Sequence, residues 1–170
     1  MNLKNVIVLF GIVLLLASCE TASQKVISGS SSTTSKSADV KRISNYYETE
    51  PWGYTSKNSF VNAGIIIETI CPPAELLVFL KQIEKKMGRV RTEGGYHDRI
   101  IDIDIMTFDH VKLNTTNLVI PHPKIAERKF SIVILKDLFF SEVIPGLNKS
   151  AQELLHKCED KLKVQMINEV

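Results

Sequence analysis

Cysteine is scarce in this chain: Cys19, Cys71 and Cys158 are odd in number, widely scattered, and form no Cys-x-x-Cys pair. A disulfide framework and a structural zinc site are thereby excluded. Charge of one sign is also missing. The net charge of +2 selects no partner, and no basic tract or arginine-aromatic array offers a track for nucleic acid. No Gly-x-x-x-x-Gly-Lys-Ser/Thr pattern occurs, which removes the common nucleotide-binding loop. The apolar run Val6 to Ala17 falls short of the roughly 20 residues of a comfortable membrane span. What remains is ordinary for a soluble globular chain of one domain, with 44% hydrophobic and 24% charged residues and no visible internal repeat.

The first forty residues differ from the rest. Lys4 precedes the apolar run, which is broken only by Gly11 and ends in Leu16-Ala17-Ser18-Cys19. Its length fits the h-region of a signal peptide, and its ending resembles a bacterial lipobox, in which Cys19 carries lipid, anchors the protein to a membrane and becomes the mature N-terminus. A buried N-terminal strand or helix has the same pattern, because short apolar runs are ambiguous by period. Ser28 to Ser35 is almost all serine and threonine and reads as a flexible tether. The chain thus divides into a lipoprotein-like segment 1–19, a Ser/Thr-rich linker 20–39 and a folded body 40–170.

The densest chemical signal is Asp102-Ile103-Asp104 within the alternating run Ile100 to Met106. On a strand, Asp102 and Asp104 share one face while Ile101, Ile103 and Ile105 share the other. Two carboxylates roughly 7 Å apart at an effective dielectric of about 20 repel by about 2 kcal/mol, a penalty that a divalent cation removes. So few hard oxygen ligands suit Mg²⁺, which keeps waters and takes its remaining oxygens from phosphates. Arg89, Arg91 and Arg99 then read as phosphate clamps. The competing reading is a solubilising pair on an exposed strand with arginines as surface partners. His122 lies between Pro121 and Pro123, whose restricted backbone presents it rigidly.

The body reads as α+β. Strand-like content covers Arg42 to Glu48 and Ser59 to Thr69, separated by the Glu50-Pro51-Trp52-Gly53-Tyr54 turn. Pro72-Pro73 opens a helix whose Leu76, Leu77, Phe79, Leu80, Ile83 and Met87 form a core stripe, closed by Gly88. Two further helices are predicted over Ala126 to Phe139, with Phe130, Ile132, Val133, Ile134 and Leu135 inward, and over Gln152 to Lys163. Strands followed by helices through short connections predict an antiparallel or mixed sheet covered by helices.

Six ordered motifs between about Val40 and Pro145 carry a family resemblance. They are Tyr47-Glu48-Thr49-Glu50-Pro51-Trp52-Gly53, Phe60-Val61-Asn62-Ala63, Gly88-Arg89-Val90-Arg91, Arg99-Ile100-Ile101-Asp102-Ile103-Asp104-Ile105-Met106, Pro121-His122-Pro123 and Glu127-Arg128-Lys129-Phe130. Together they resemble the 6-hydroxymethyl-7,8-dihydropterin pyrophosphokinases (HPPK), enzymes of folate biosynthesis. The resemblance implies a ferredoxin-like α+β fold and transfer of pyrophosphate from ATP to the pterin hydroxymethyl group, releasing AMP. It implies that Asp102 and Asp104 hold two Mg²⁺ ions and that Arg89, Arg91 and Arg99 neutralise the polyphosphate. It further implies that Glu84, Ile105, His122 and Arg128 lie at the nucleotide. Phe60 and Phe130 would sandwich the pterin, Asn62 would read its polar edge, Thr49 and Trp52 would add contacts, and Tyr96 would serve as the lid aromatic. Read without the family, Phe60, Phe130 and Trp52 are simply core residues.

Two departures from the family pattern matter. Lys81 stands where the family often has a glutamine, and the family's opening strand, Gly-Ser-Asn and helix are not recognisable. The first strand is therefore expected to be absent or replaced by another segment. An active enzyme belongs in the cytoplasm with its ATP. The alternative is a lipid-anchored, catalytically vestigial pterin- or nucleotide-binding protein.

Overall fold

The computed structural model describes residues 38–89 and 100–167 in full, and residues 3–11 by their backbone. Strands β1 (Leu3–Gly11), β2 (Ala38–Ile43), β3 (Tyr47–Thr49), β4 (Phe60–Thr69), β5 (Ile101–Phe108) and β10 (Val164–Met166) build one antiparallel sheet. Its order is β10-β3-β4-β1-β5, and β2 pairs with the far half of β4. Two small hairpins, β6 (Leu113–Asn114) with β7 (Val119–Ile120) and β8 (Val143–Ile144) with β9 (Lys149–Ser150), stand apart.

Of the two expectations for the first strand, absence or replacement by another segment, the sheet shows a strand in place, supplied by Leu3–Gly11. β1 runs between β4 and β5, paired with β4 from Leu3↔Thr69 to Gly11↔Val61 and with β5 from Asn5↔Phe108 to Gly11↔Ile101. Part of the apolar run, preceded by Leu3, Lys4 and Asn5, thus lies in the sheet that the division above begins at residue 40. The single strand expected over Arg42 to Glu48 is two. At Ser44 the ladder is interrupted: its N–H donates to the Gly64 carbonyl at 2.9 Å, and its hydroxyl accepts from the Gly64 N–H at 2.8 Å.

Helix α1 (Pro73–Lys86) covers one face of the sheet, and α2 (Lys129–Phe139) with α3 (Ala151–Lys157) covers the other. On the α1 side, Leu76 and Leu80 pack with Ile67, Ile101, Ile103, Ile105 and Phe108. Phe79 and Met87, expected in that core, are exposed. On the opposite side Ile66, Met106 and Tyr47 meet Phe130, Ile132, Ile134, Leu135 and Leu138. The third helix is shorter than expected. Ser150 and Glu153 form a capping box at its start, but it ends at Lys157 and the chain extends into β10. Along the way Asp160 accepts hydrogen bonds from the backbone N–H groups of Lys129 (2.9 Å) and Leu162 (3.0 Å), so it satisfies the first turn of α2 from a distance in sequence. Among the described residues no helix is long and apolar enough to cross a membrane.

Candidate active site

Register across β1 assembles the site. Phe10 of β1 is aligned with Asn62 on one side and Asp102 on the other, and Val8 is aligned with Gly64 and Asp104. Residues directly opposite in an antiparallel ladder point to the same face, so Asn62, Asp102 and Asp104 look out together. Two strand spacings, about 9.5 Å, separate the Asn62 and Asp102 backbones.

The aspartates are held from the strand edge by α1. The helix ends in a Schellman motif: the Gly88 N–H bonds Lys85 O at 3.1 Å, the Arg89 N–H bonds Glu84 O at 3.0 Å, and Gly88 takes φ +92°. That turn folds Arg89 back, and its guanidinium reaches both Glu84 and Asp102 at 2.5 Å. Glu84 is only 2% exposed, and its Oε1 accepts the Ile103 N–H at 2.7 Å. Lys81 approaches Glu84 (3.0 Å), the Ile103 carbonyl (3.4 Å) and Asp102 (3.8 Å). Glu84 is thus turned inward as a tie between α1 and β5. Ile105 is buried in the α1-side core and also lines the cleft beside Asp104.

Asp104 and His122 face each other across a cleft of about 750 Å³ that Lys81, Lys85, Asn117 and Pro123 also line. Burial, then the neighbouring Asp102 carboxylate, push the Asp104 carboxyl up to about 6. Burial, then the Arg128 cation, push His122 down to about 4, so its ring is neutral near pH 7. The His122 backbone N–H is tied to Met106 O at 2.8 Å, and its Nδ1 accepts the Lys124 N–H at 3.2 Å. The remaining proton is therefore on Nε2, which lies 3.9 Å from Asp104 Oδ2. With a neutral ring at that distance the two do not form an ion pair; the imidazole offers a neutral N–H donor to the cleft.

These two shifts oppose each other in the metal-free protein. The raised Asp104 value favours the folded state below the ordinary carboxyl value of 3.8, and that contribution is lost as pH rises through about 6. The depressed His122 value favours it above the ordinary 6.5, and that contribution is lost as pH falls through about 4. Each is worth about 2–3 kcal/mol. Denaturant midpoints between about pH 4 and pH 6 are therefore expected to rise with pH in Asp104→Asn and to fall in His122→Asn, with the unmodified chain flatter than either. Parallel slopes in all three would show that neither group is perturbed.

The other half of the site lies on β3, β4 and the start of α2. Asn62 is 2% exposed; its Nδ2 donates to Thr49 Oγ1 at 2.7 Å, while its buried Oδ1 has no partner among the described residues. A buried acceptor without a donor is costly unless a ligand supplies one. Phe60 is half-buried and meets Tyr54 edge-on at 6.1 Å, and Phe130 is 6% exposed in the core opposite α1. Trp52 packs beneath two cations, Arg128 at 4.8 Å and Lys124 at 5.8 Å from its ring centre. Arg91, Tyr96, Arg99 and Cys19 lie outside the described residues. The contacts of Lys81 with Glu84 and Asp102 were not anticipated from sequence, although the i,i+3 spacing of Lys81 and Glu84 marks them as helix neighbours.

The donor set fits magnesium. Among the described residues no three His, Cys, Asp or Glu side chains group as a metal site, so an ion held by Asp102 and Asp104 must complete its shell with water and ligand oxygens.

The model of the 7,8-dihydro-6-hydroxymethylpterin-pyrophosphokinase family matches residues 13–139. The chain belongs to the HPPK family. It is 37% identical over 99 residues to a 2-amino-4-hydroxy-6-hydroxymethyldihydropteridine pyrophosphokinase of Porphyromonas gingivalis, an alignment covering 56% of this chain and 67% of the relative. Identity to the Bacillus subtilis enzyme of that name is 37% over 99 residues, covering 58% of the chain and 59% of the relative. The Aquifex aeolicus enzyme is 31% identical over 125 residues, covering 74% and 76%. HPPK-DHPS of Plasmodium falciparum, solved with pteroate, shares the fold with a TM-score of 0.67 at 17% identity, over 92% of this chain and 42% of that one.

Proposed function

We propose that this HPPK-family chain transfers the pyrophosphoryl group of ATP to 6-hydroxymethyl-7,8-dihydropterin in a Mg²⁺-dependent reaction, on a ferredoxin-like α+β scaffold. The observation that carries this reading is the register that places Asn62 and the Asp102/Asp104 pair on one face, a single strand apart. A flat heterocycle bound at Asn62 extends its hydroxymethyl arm across β1 toward the carboxylates. Its ring N–H groups would supply the donor that Asn62 Oδ1 lacks among the described residues, and Phe60 and Phe130 would close on its faces.

Asp102 and Asp104 would hold the magnesium ions, whose chemistry is to draw off the charge of the triphosphate and hold it in line. Arg89 neutralises phosphate oxygens from the Schellman turn, joined by Arg91 and Arg99. His122 donates its Nε2 proton in a hydrogen bond to a phosphate oxygen without adding charge. Arg128, stacked on Trp52, stands between the nucleotide and pterin halves. The pterin hydroxyl oxygen bonds to the β-phosphorus, the bond from that phosphorus to the α–β bridging oxygen breaks, AMP leaves with that oxygen, and the hydroxyl proton passes to solvent. Positioning and electrostatics supply the rate, since phosphoryl transfer needs no covalent help from the protein. Such an enzyme works where ATP is, in the cytoplasm; anchoring through Cys19 belongs to the vestigial alternative.

The test is AMP release by the full chain given ATP, Mg²⁺ and 6-hydroxymethyl-7,8-dihydropterin. AMP that depends on the pterin supports the enzyme, and none from folded protein sinks it. Asn62→Ala is expected to raise the pterin KM by about 10- to 100-fold, the scale of one or two lost buried hydrogen bonds, with the ATP KM unchanged. A pterin KM within twofold of the unmodified chain would remove Asn62 from the site.

A further inference from the structure

Lys81 is the charged group near the aspartates that the family pattern does not supply. It projects from α1 to the edge of β5, where its ammonium donates to the carbonyl of Ile103 at 3.4 Å while Glu84 accepts the N–H of the same residue at 2.7 Å. Two helix side chains thus bond the open edge of the strand as a neighbouring strand would, at the residue between the two aspartates. A glutamine at position 81 could offer an N–H to that carbonyl. What lysine adds is a positive charge, 3.0 Å from Glu84 and 3.8 Å from Asp102, in the cleft that also takes in Asp104.

We propose that Lys81 is a resident counter-cation of the acidic pair: in the metal-free protein it adds its charge to that of Arg89, which pairs with Asp102 at 2.5 Å, and a divalent ion reaches the aspartates in competition with it. This rests on Asp102 and Asp104 being the metal ligands. The Lys81 side chain is only 29% exposed and its ammonium lies within 4 Å of two carboxylates, so its charge bears directly on whatever cation approaches. Free divalent ions are consequently held weakly. Arrival of a triphosphate offers Lys81 another anionic partner and lessens its competition with the metal at Asp102, so metal and nucleotide bind as a pair rather than in sequence.

Mn²⁺ binding to the full chain without nucleotide, followed by loss of the free-ion electron paramagnetic resonance signal near neutral pH, tests this. Lys81→Gln, which keeps a donor for Ile103, is expected to bind Mn²⁺ about fivefold more tightly than the unmodified chain, with Lys81→Arg no tighter. Lys81→Met should change affinity in the same direction, so a folding failure of one variant leaves the other to decide. With a non-hydrolysable ATP analogue present, the advantage of Lys81→Gln should shrink or reverse. Equal or weaker Mn²⁺ binding by the uncharged variants would overturn the proposal. Asp104→Asn separates the two ideas: unchanged Mn²⁺ binding in that variant would remove the aspartates as ligands, whereas lost binding alongside no gain in Lys81→Gln would leave the metal site and reject the role of Lys81.

Discussion

Asp104→Asn is expected to cut pterin-dependent AMP formation by about 10³-fold or more, the scale on which one electrostatic contact to a developing charge acts. Among the described residues Glu84 is the further carboxylate beside Asp102, and it is engaged by Arg89, Lys81 and the Ile103 N–H rather than open to replace a lost ligand. The substitution should also stabilise the metal-free chain above about pH 6, by about 2 kcal/mol, because it removes a carboxylate that burial and Asp102 both disfavour. Loss of activity with a gain in stability is a combination that misfolding cannot produce. Asp102→Asn is expected to lose activity equally but to lose stability too, since Asp102 pairs with Arg89 at 2.5 Å. AMP assays and thermal melts of both variants check this; activity within tenfold of the unmodified chain in either would end the metal assignment.

Removing residues 1–18, the cut that a lipobox reading places before Cys19, is expected to abolish cooperative folding. β1 lies between β4 and β5 from Asn5 to Gly11, and its removal strips both strands of partners at once. Each buried backbone group left unpaired costs about 1–3 kcal/mol. A handful of them exceeds the roughly 5–15 kcal/mol by which a domain is stable. The shortened chain should be insoluble or melt without a sharp transition, with no AMP production. A cooperative melt near that of the full chain would show that the sheet closes without β1.

Much of the site was legible where local pattern and tertiary structure agree. The alternation around Asp102 and Asp104 survives as β5, and Pro73 and Gly88 mark α1 as expected because they act on their own backbone. The place of β1 was not legible, since an apolar run of that length has the same period whether it enters a membrane pathway or a sheet. Phe79 and Met87 fit a helical stripe wider than the surface that α1 buries, so they remain exposed. The C-terminal helix was drawn too long because amphipathic spacing continues past Lys157, while Asp160 is needed at the start of α2. Lys81 was visible as a helix neighbour of Glu84, but its approach to Asp102 depends on how α1 meets the edge of β5.

The placement of β1 also bears on how the protein is made. β1 is synthesised before both of its neighbours yet ends between them, since its partners follow only with Phe60–Thr69 and then Ile101–Phe108. Until residue 108 has been synthesised, an apolar strand waits with at least one edge open. Such long-range pairing folds slowly, and an exposed strand invites association with other chains. The same centrality that aligns Asn62 with Asp102 therefore leaves β1 open to wrong partners for as long as β5 is still to be made.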